Sequence, residues 1–361
     1  MPLITKLKAY LLRLFAGKKV GNFDIKDVKK VLFLRYDRIG DMVITTPVFR
    51  ELKLFLPNIK ISVLASKVNQ SILSNNPYID NIYINHKNSF LNDLQILLTL
   101  RKKNFDACIE FDHSVIPHAI LRLKIINPKV VISVAKEGRY GVKGEDLKLY
   151  DFYTEKNNNS HFRDIWLETL SPFHIKPKSS HYDLFCTDSQ KKIAQNFLSS
   201  FPNKFLIGIN LEGAVKGKKI EDEDLEKICR GLYKAHKNIQ IIILSTPNKY
   251  QIYEKKIKNI ALDYVVLSYK TDTIMDVTAL ITKLDLIITP DTSIVHIAST
   301  FNKPIVSIHE NNKDSFVLFA PTSQLSRTVF SKSKNNLTCF SINLLLSYCS
   351  ELINLIKKGR L

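Results

Sequence analysis

Short runs of β-branched and aliphatic residues alternate with amphipathic stretches along this chain, and the alternation occurs twice. The first series reads as a strand over 31–35, a polar turn ending in Gly40-Asp41, and a helix to about Phe55. Strands over 60–65 and 81–85, a helix over 91–102, and strands over 106–111 and 129–134 complete it. Strands that are apolar throughout, rather than at every second position, belong to a parallel sheet covered on both faces by helices.

The stretch 137–159 is rich in Gly, Lys and Asn and reads as loops. Pro172, Pro177 and Pro202 mark the passage to a second half, with a helix over 189–198. From Phe205 the pattern restarts. Strands over 205–211, 240–245, 264–267, 285–289 and 304–309 alternate with helices over 223–235, 249–259, 274–283 and 292–300, and an amphipathic helix over 342–358 closes the chain. A length of 361 residues is too great for one core and suits two. The expected organisation is a basic segment over 1–25 and two Rossmann-like doubly wound domains, 26–180 and 181–361. Such domains bind ligands outside the carboxyl ends of their strands, so the expected active site is a cleft between the two.

Composition narrows the class. With 45% hydrophobic and 24% charged residues the chain reads as an ordinary globular protein. No apolar run approaches the roughly 20 residues needed to span a bilayer, and Lys6, Lys8 and Arg13 interrupt what would have to be a signal peptide. Five scattered cysteines, with no CxxC pair, indicate neither a disulfide framework nor a structural zinc site, and fit a reducing cytoplasm. The excess of 53 Lys and Arg over 34 Asp and Glu, a net +19, favours polyanions: nucleic acid, an anionic membrane or phosphorylated substrates. The basic residues are spread widely without interleaved aromatics that would stack bases, so nucleic acid is not expected. Leu3, Leu7, Leu11, Leu14 and Phe15 share one helical stripe, with Lys6, Arg13, Lys18 and Lys19 largely off it. Such a helix either rests on an anionic leaflet or packs on the body of the protein.

Three loops lie where the parallel-sheet pattern places ligands. The first, Arg35-Tyr36-Asp37-Arg38-Ile39-Gly40-Asp41, joins a strand to a helix. Gly40 permits a tight turn or close approach of the backbone to a ligand. Asp41, at the helix start, either caps the helix or serves as a general base. The second, Thr289-Pro290-Asp291-Thr292-Ser293, repeats the arrangement, with His296 one turn into the helix. It reads either as a well-capped helix or as an anion site suited to a pyrophosphate. The third, Glu212-Gly213-Ala214-Val215-Lys216-Gly217-Lys218-Lys219, offers glycines and lysines without Walker A spacing. GxGxxG after the first strand, HExxH, GxSxG and a clustered His/Cys set are all missing, so neither a dinucleotide cofactor nor a catalytic metal is indicated.

Two of these segments together resemble glycosyltransferase family 9, which contains the ADP-heptose:lipopolysaccharide heptosyltransferases. One is the stretch 31–57, with Arg-Ile-Gly-Asp-Met-Val-Ile-Thr-Thr-Pro; the other is 285–309, with Thr-Pro-Asp-Thr-Ser-Ile-Val-His-Ile-Ala and then Asn-Lys-Pro-Ile-Val-Ser. The resemblance implies a GT-B fold and an inverting, metal-independent transfer of heptose from ADP-heptose to a lipid A–core oligosaccharide. It requires no cofactor beyond that co-substrate. It implies Asp41 as the catalytic base and Lys218, Asp291, Thr292, Ser293 and His296 as donor-binding residues. Arg35, Arg38 and Gly40 become candidate acceptor contacts. A membrane-borne acceptor places the enzyme at the cytoplasmic face of the inner membrane.

Two departures stand out. Ser293 occupies a position where the family usually has Gly, and Ser245-Thr246-Pro247-Asn248 replaces a loop that usually contains one. They leave open a different nucleotide sugar, used in lipooligosaccharide or capsule assembly. A non-enzymatic binder of polyanions is the more distant alternative.

Overall fold

In a computed structural model, residues 3–17, 24–86, 89–155, 159–213, 217–334 and 336–359 are described. Lys18, Lys19 and Lys216, named above in the basic helix and the lysine loop, lie outside them. The chain divides into two compact units, Met1–His181 and Tyr182–Leu361.

The first unit runs α1 (Leu3–Phe15), β1 (Lys30–Leu34), α2 (Ile39–Phe55), β2 (Lys60–Ser66), β3 (Asn81–Asn85), α3 (Phe90–Lys102) and β4 (Ala107–Glu110). It ends with α4 (Pro117–Ile126), β5 (Val130–Ser133), β6 (Phe152–Tyr153) and α5 (Phe162–Leu167). Its six strands are all parallel, in the order β3-β2-β1-β4-β5-β6. Val31, Leu32, Phe33 and Leu34 of β1 are buried on both faces, paired on one side with Ile61–Leu64 and on the other with Ala107–Glu110. This is why the strand is a continuous apolar run. The segment before the second unit is held to the first by Arg50, whose guanidinium donates to the carbonyls of Ser179 and His181, both at 2.8 Å.

The second unit runs α6 (Asp188–Leu198), β7 (Phe205–Asn210), α7 (Asp222–Ala235), β8 (Ile239–Leu244), α8 (Tyr250–Ile260) and β9 (Val265–Leu267). It continues through α9 (Ile274–Ile281), β10 (Leu286–Pro290), α10 (Ser293–Thr300), β11 (Ile305–His309), α11 (Lys313–Phe319), β12 (Ser326–Phe330) and α12 (Ile342–Lys357). Its strand order, β12-β11-β10-β7-β8-β9, repeats the first unit's with β7 in the place of β1. All pairings are again parallel. Each unit therefore has one switch point, between β1 and β4 and between β7 and β10, where an open α/β sheet binds ligands beyond its strand ends.

The pattern reading differs from this structure in several places. The stretch read as loops over 137–159 contains the short edge strand β6. Helices α4, α5 and α11 and strand β12 were not expected. Helix α4 lacks a sequence start signal, since Ile116 at its N-cap makes no side-chain cap bond and Pro117 alone marks the entry. The N-terminal helix does pack on the body, on α4, but through its narrow face: Ala9, Leu12 and Ala16 are buried while Leu3, Leu7 and Leu14 are exposed.

Candidate active site

In the first unit the switch point gathers the ends of β1, β4 and β5. The chain leaving β1 is fixed at Arg35, whose N–H donates to Leu64 O at 3.0 Å and whose carbonyl accepts from Asn69 Nδ2 at 3.0 Å. The Arg35 side chain is 3% exposed and lies over the Trp166 ring at 3.8 Å and the Phe111 ring at 5.2 Å. Guanidinium groups stack on aromatic faces through the ring quadrupole. This stacking turns Arg35 into a fixed positive charge: Nη1 donates to Asp37 Oδ2 at 3.0 Å and Nη2 stands 3.9 Å from Asp41 Oδ1.

Asp41 is the third residue of α2, in its first turn, and the backbone and charge of Arg38 favour its ionised form. Asp41 therefore lies inside the helix and is not its cap, which is Arg38. Burial pushes the Asp41 carboxyl up to about 6, with Arg35 pulling against it and Asp37 adding to it. Gly40 makes no tight turn; it sits inside the first turn of α2. Arg38 is exposed at the N-cap.

The end of β4 supplies residues that the sequence reading passed over. Glu110 pairs with Lys136, both buried, and accepts from Ser133 Oγ at 2.8 Å and from the Asp112 N–H at 2.8 Å. Lys136 also donates to Asp112 O at 2.5 Å. Burial, and then the charge of Glu110, push the Asp112 carboxyl up to about 7. His113 Nε2 accepts from Trp166 Nε1 at 3.0 Å; burial, and the cations Arg35 and Lys136, push its imidazole down to about 3. At neutral pH it is an uncharged acceptor that orients Trp166. Applying the switch-point rule to β4 as well as β1 singles out Glu110, Asp112 and His113.

In the second unit, the described residues on either side of the loop after β7 pair with each other. Gly213 N donates to Lys218 O at 2.9 Å and Ile220 N to Leu211 O at 2.7 Å, and Gly217 turns through a left-handed φ of 92°. This brings Lys218 to the end of β10, where its Nζ pairs with Asp291 and stands 3.9 Å from Glu310. Burial opposes ionisation of Asp291, but His309, Lys218 and His296 together lower its carboxyl below the usual range. Burial holds His309 itself down to about 4, so at neutral pH Lys218 is the cation facing Asp291.

Helix α10 opens beside this pair. Thr292 is its N-cap, accepting the Ile294 N–H at 3.2 Å, and Asn210 at the end of β7 donates to both Thr289 Oγ1 and Thr292 Oγ1 at 3.0 Å. A Cβ on Gly213 would come within 2.7 Å of the Thr292 methyl, so only glycine lets the β7 loop lie this close to the cap. Ser293 is the first helical residue and half-buried; His296 is buried, its ring 6.1 Å from that of Tyr182 and 6.3 Å from that of Phe319. The structure thus gathers Lys218, Asp291, Thr292 and Ser293 at one strand end. It adds Asn210 and Glu310, which no sequence motif marked, and His309, the last residue of the 285–309 stretch. Among the described residues, no group of three or more His, Cys, Asp or Glu side chains is arranged to hold a metal.

Residues 94–347 match glycosyltransferase family 9 (heptosyltransferase). Lipopolysaccharide heptosyltransferase 1 of Campylobacter coli is 22% identical over 297 residues, covering 77% of this chain and 83% of that relative. The E. coli ADP-heptose lipopolysaccharide heptosyltransferase II superposes with a TM-score of 0.71 at 15% identity, over 91% of this chain and 99% of that one. E. coli heptosyltransferase WaaC with ADP gives 0.66 at 16% identity, over 90% and 99%. Two parallel Rossmann-ordered sheets, the fold shared with these GT-B enzymes, and the family match together place this chain in glycosyltransferase family 9, the heptosyltransferase family.

Proposed function

We propose that this glycosyltransferase moves a heptose from ADP-heptose to a lipopolysaccharide or lipooligosaccharide core acceptor, with inversion and without a metal ion. The observation that carries the reading is Asp41: a carboxyl pushed up to about 6, on a helix start at the switch point of a family 9 fold. A base works best when its pKa lies near the working pH, because it is then ionised yet still basic. In a single displacement the acceptor oxygen attacks the anomeric carbon and passes its proton to Asp41. The bond from that carbon to the β-phosphate oxygen breaks, and ADP leaves. One displacement inverts the anomeric centre.

The second unit is the donor-holding half in this reading. The N-terminus of α10 offers N–H groups and a favourable dipole to the pyrophosphate. Lys218 supplies the mobile charge, exchanging Asp291 and Glu310 for phosphate oxygens as the leaving group gains charge. Arg35 supports Asp41, and Arg38, exposed beside it, is the better placed of the two arginines to meet the acceptor. The lipid A–core acceptor makes the enzyme a peripheral protein of the cytoplasmic membrane face. Among the described residues no helix is long and apolar enough to cross a membrane.

Ser293 favours a second reading, transfer from another nucleotide sugar, because it sets a hydroxymethyl side chain at the first position of α10, where the family usually has Gly. A donor panel with a truncated core acceptor, run with and without EDTA, separates the two. Mass gain by one heptose from ADP-heptose, unchanged by EDTA, supports the first; gain only from a UDP-hexose moves the donor to the second.

A further inference from the structure

We infer that the outward face of α1 is a docking surface for an anionic lipid leaflet. The helix is built with its two faces reversed from the usual arrangement. Its inward side is narrow: Ala9 and Leu12, with Ala16 just past its end, are buried in the core cluster that also contains Leu123 and Ile126 of α4. Its outward side carries the bulk: Leu3 is 84% exposed, Leu7 57% and Leu14 61%, with Ile4, Tyr10 and Leu11 also exposed. At 3.6 residues per turn these six fall in one sector roughly 120° wide, opposite the buried alanines. Lys6 and Arg13 border that sector on one side and Lys8 on the other, and the helix has no acidic residue. An apolar stripe flanked by cations is the arrangement of a helix lying in the headgroup region of a bilayer.

The helix is also fastened to the body, so its face is presented and not free to fold back. Lys124 Nζ donates to Gly17 O just past its C-terminus at 2.5 Å, Lys8 lies over the Tyr140 ring at 5.2 Å, and Arg13 donates to Gly141 O at 3.4 Å. Charge selects the occupant. A second copy of a chain carrying +19 would set its own cations against Lys6, Lys8 and Arg13, whereas phosphate headgroups complement them. Each apolar contact adds hydrophobic free energy, and each lysine or arginine an electrostatic term that salt screens.

This surface rests on the reading of a membrane-borne acceptor for its purpose, but vesicle binding requires no donor and tests it separately. The full chain, a Leu7→Glu/Leu14→Glu variant and a Lys6→Glu/Arg13→Glu variant are co-sedimented with phosphatidylcholine vesicles, with and without phosphatidylglycerol. The parent is expected to bind only the anionic vesicles, with each variant weakened at least about tenfold. Transfer to a soluble truncated acceptor is expected to be unchanged in both variants. Equal binding by parent and variants overturns the proposal. So does a parent that dimerises in sedimentation and is returned to monomer by the leucine substitutions. Loss of all transfer by the parent on the soluble acceptor, with vesicle binding intact, counts instead against the transferase reading.

Discussion

Nη2 of Arg35 stands 3.9 Å from Oδ1 of Asp41, on a guanidinium clamped over Trp166 at 3.8 Å. A buried cation this close favours the ionised carboxylate, so Arg35 holds Asp41 lower than burial alone would. Replacing it by Met keeps the apolar stem over the indole and removes the charge. The acid limb of kcat/KM is expected to move alkaline by about one pH unit, with activity recovering at high pH. A pH–rate profile checks this, and an unmoved limb would sever Arg35 from the base.

The same burial has a stability consequence. The Asp41 carboxyl is raised in the folded protein from 3.8 to about 6, so its ionised form works against folding. The penalty is absent below the unfolded value, grows between about 4 and about 6, and is complete above that. Asp41→Asn is therefore expected to stabilise the fold at pH 8 by about 1–3 kcal/mol and to change little at pH 4. Thermal denaturation at the two pH values reads the difference. An equal shift at both would mean that the carboxyl is not titrating in this range.

The central strands were legible because burial on both faces forces a uniformly apolar run, and 31–35 and 205–211 show this plainly. Edge strands carry no such demand. In β12 only Val329 is buried, and β6 is two exposed residues, so neither left a pattern. Helix α4 was hidden for the opposite reason: its apolar residues follow those of the preceding loop, Val115 and Ile116, with only Pro117 and His118 between them. Asp41 and Asp291 stood in contiguous motifs, and those motifs carried the family resemblance. Lys136 and Trp166 could not be read in this way, because Lys136 meets Glu110, and Trp166 meets Arg35 and His113, only where separate segments come together.

Lys218 and Asp291 form an ion pair in which neither carboxylate nor ammonium is more than 18% exposed. Lys218→Met leaves the carboxylate buried without its direct partner, and is expected to lower both melting temperature and ADP affinity, the latter by about 10–100-fold. Adding Asp291→Asn removes the orphaned charge and should restore the melting temperature without restoring ADP affinity. Calorimetric titration with ADP, paired with thermal melts, separates the two effects. Full ADP affinity in the single variant would remove Lys218 from the donor site.

Gly213 and Thr292 make a steric test of the same region. Gly213→Ala brings a methyl within 2.7 Å of Thr292 Cγ2, whose hydroxyl is already committed to Asn210 and the Ile294 N–H. Displacing the cap is expected to cost about 1–3 kcal/mol and to weaken donor binding several-fold. Thr292→Ser in the same chain removes the methyl and keeps the cap oxygen, so it should restore both. Failure of that rescue would place the damage elsewhere in the β7 loop.

In the proposed heptose transfer, Asp41 takes the proton of the acceptor hydroxyl. The most direct measurement of this role is the rate of ADP release from ADP-heptose with a truncated core acceptor, with matching mass gain, for parent and Asp41→Asn at equal bound donor. Steady release by the parent and a loss of about 10²–10⁴-fold in the variant, with ADP affinity retained, is the expected result. Unimpaired transfer by the variant would contradict it.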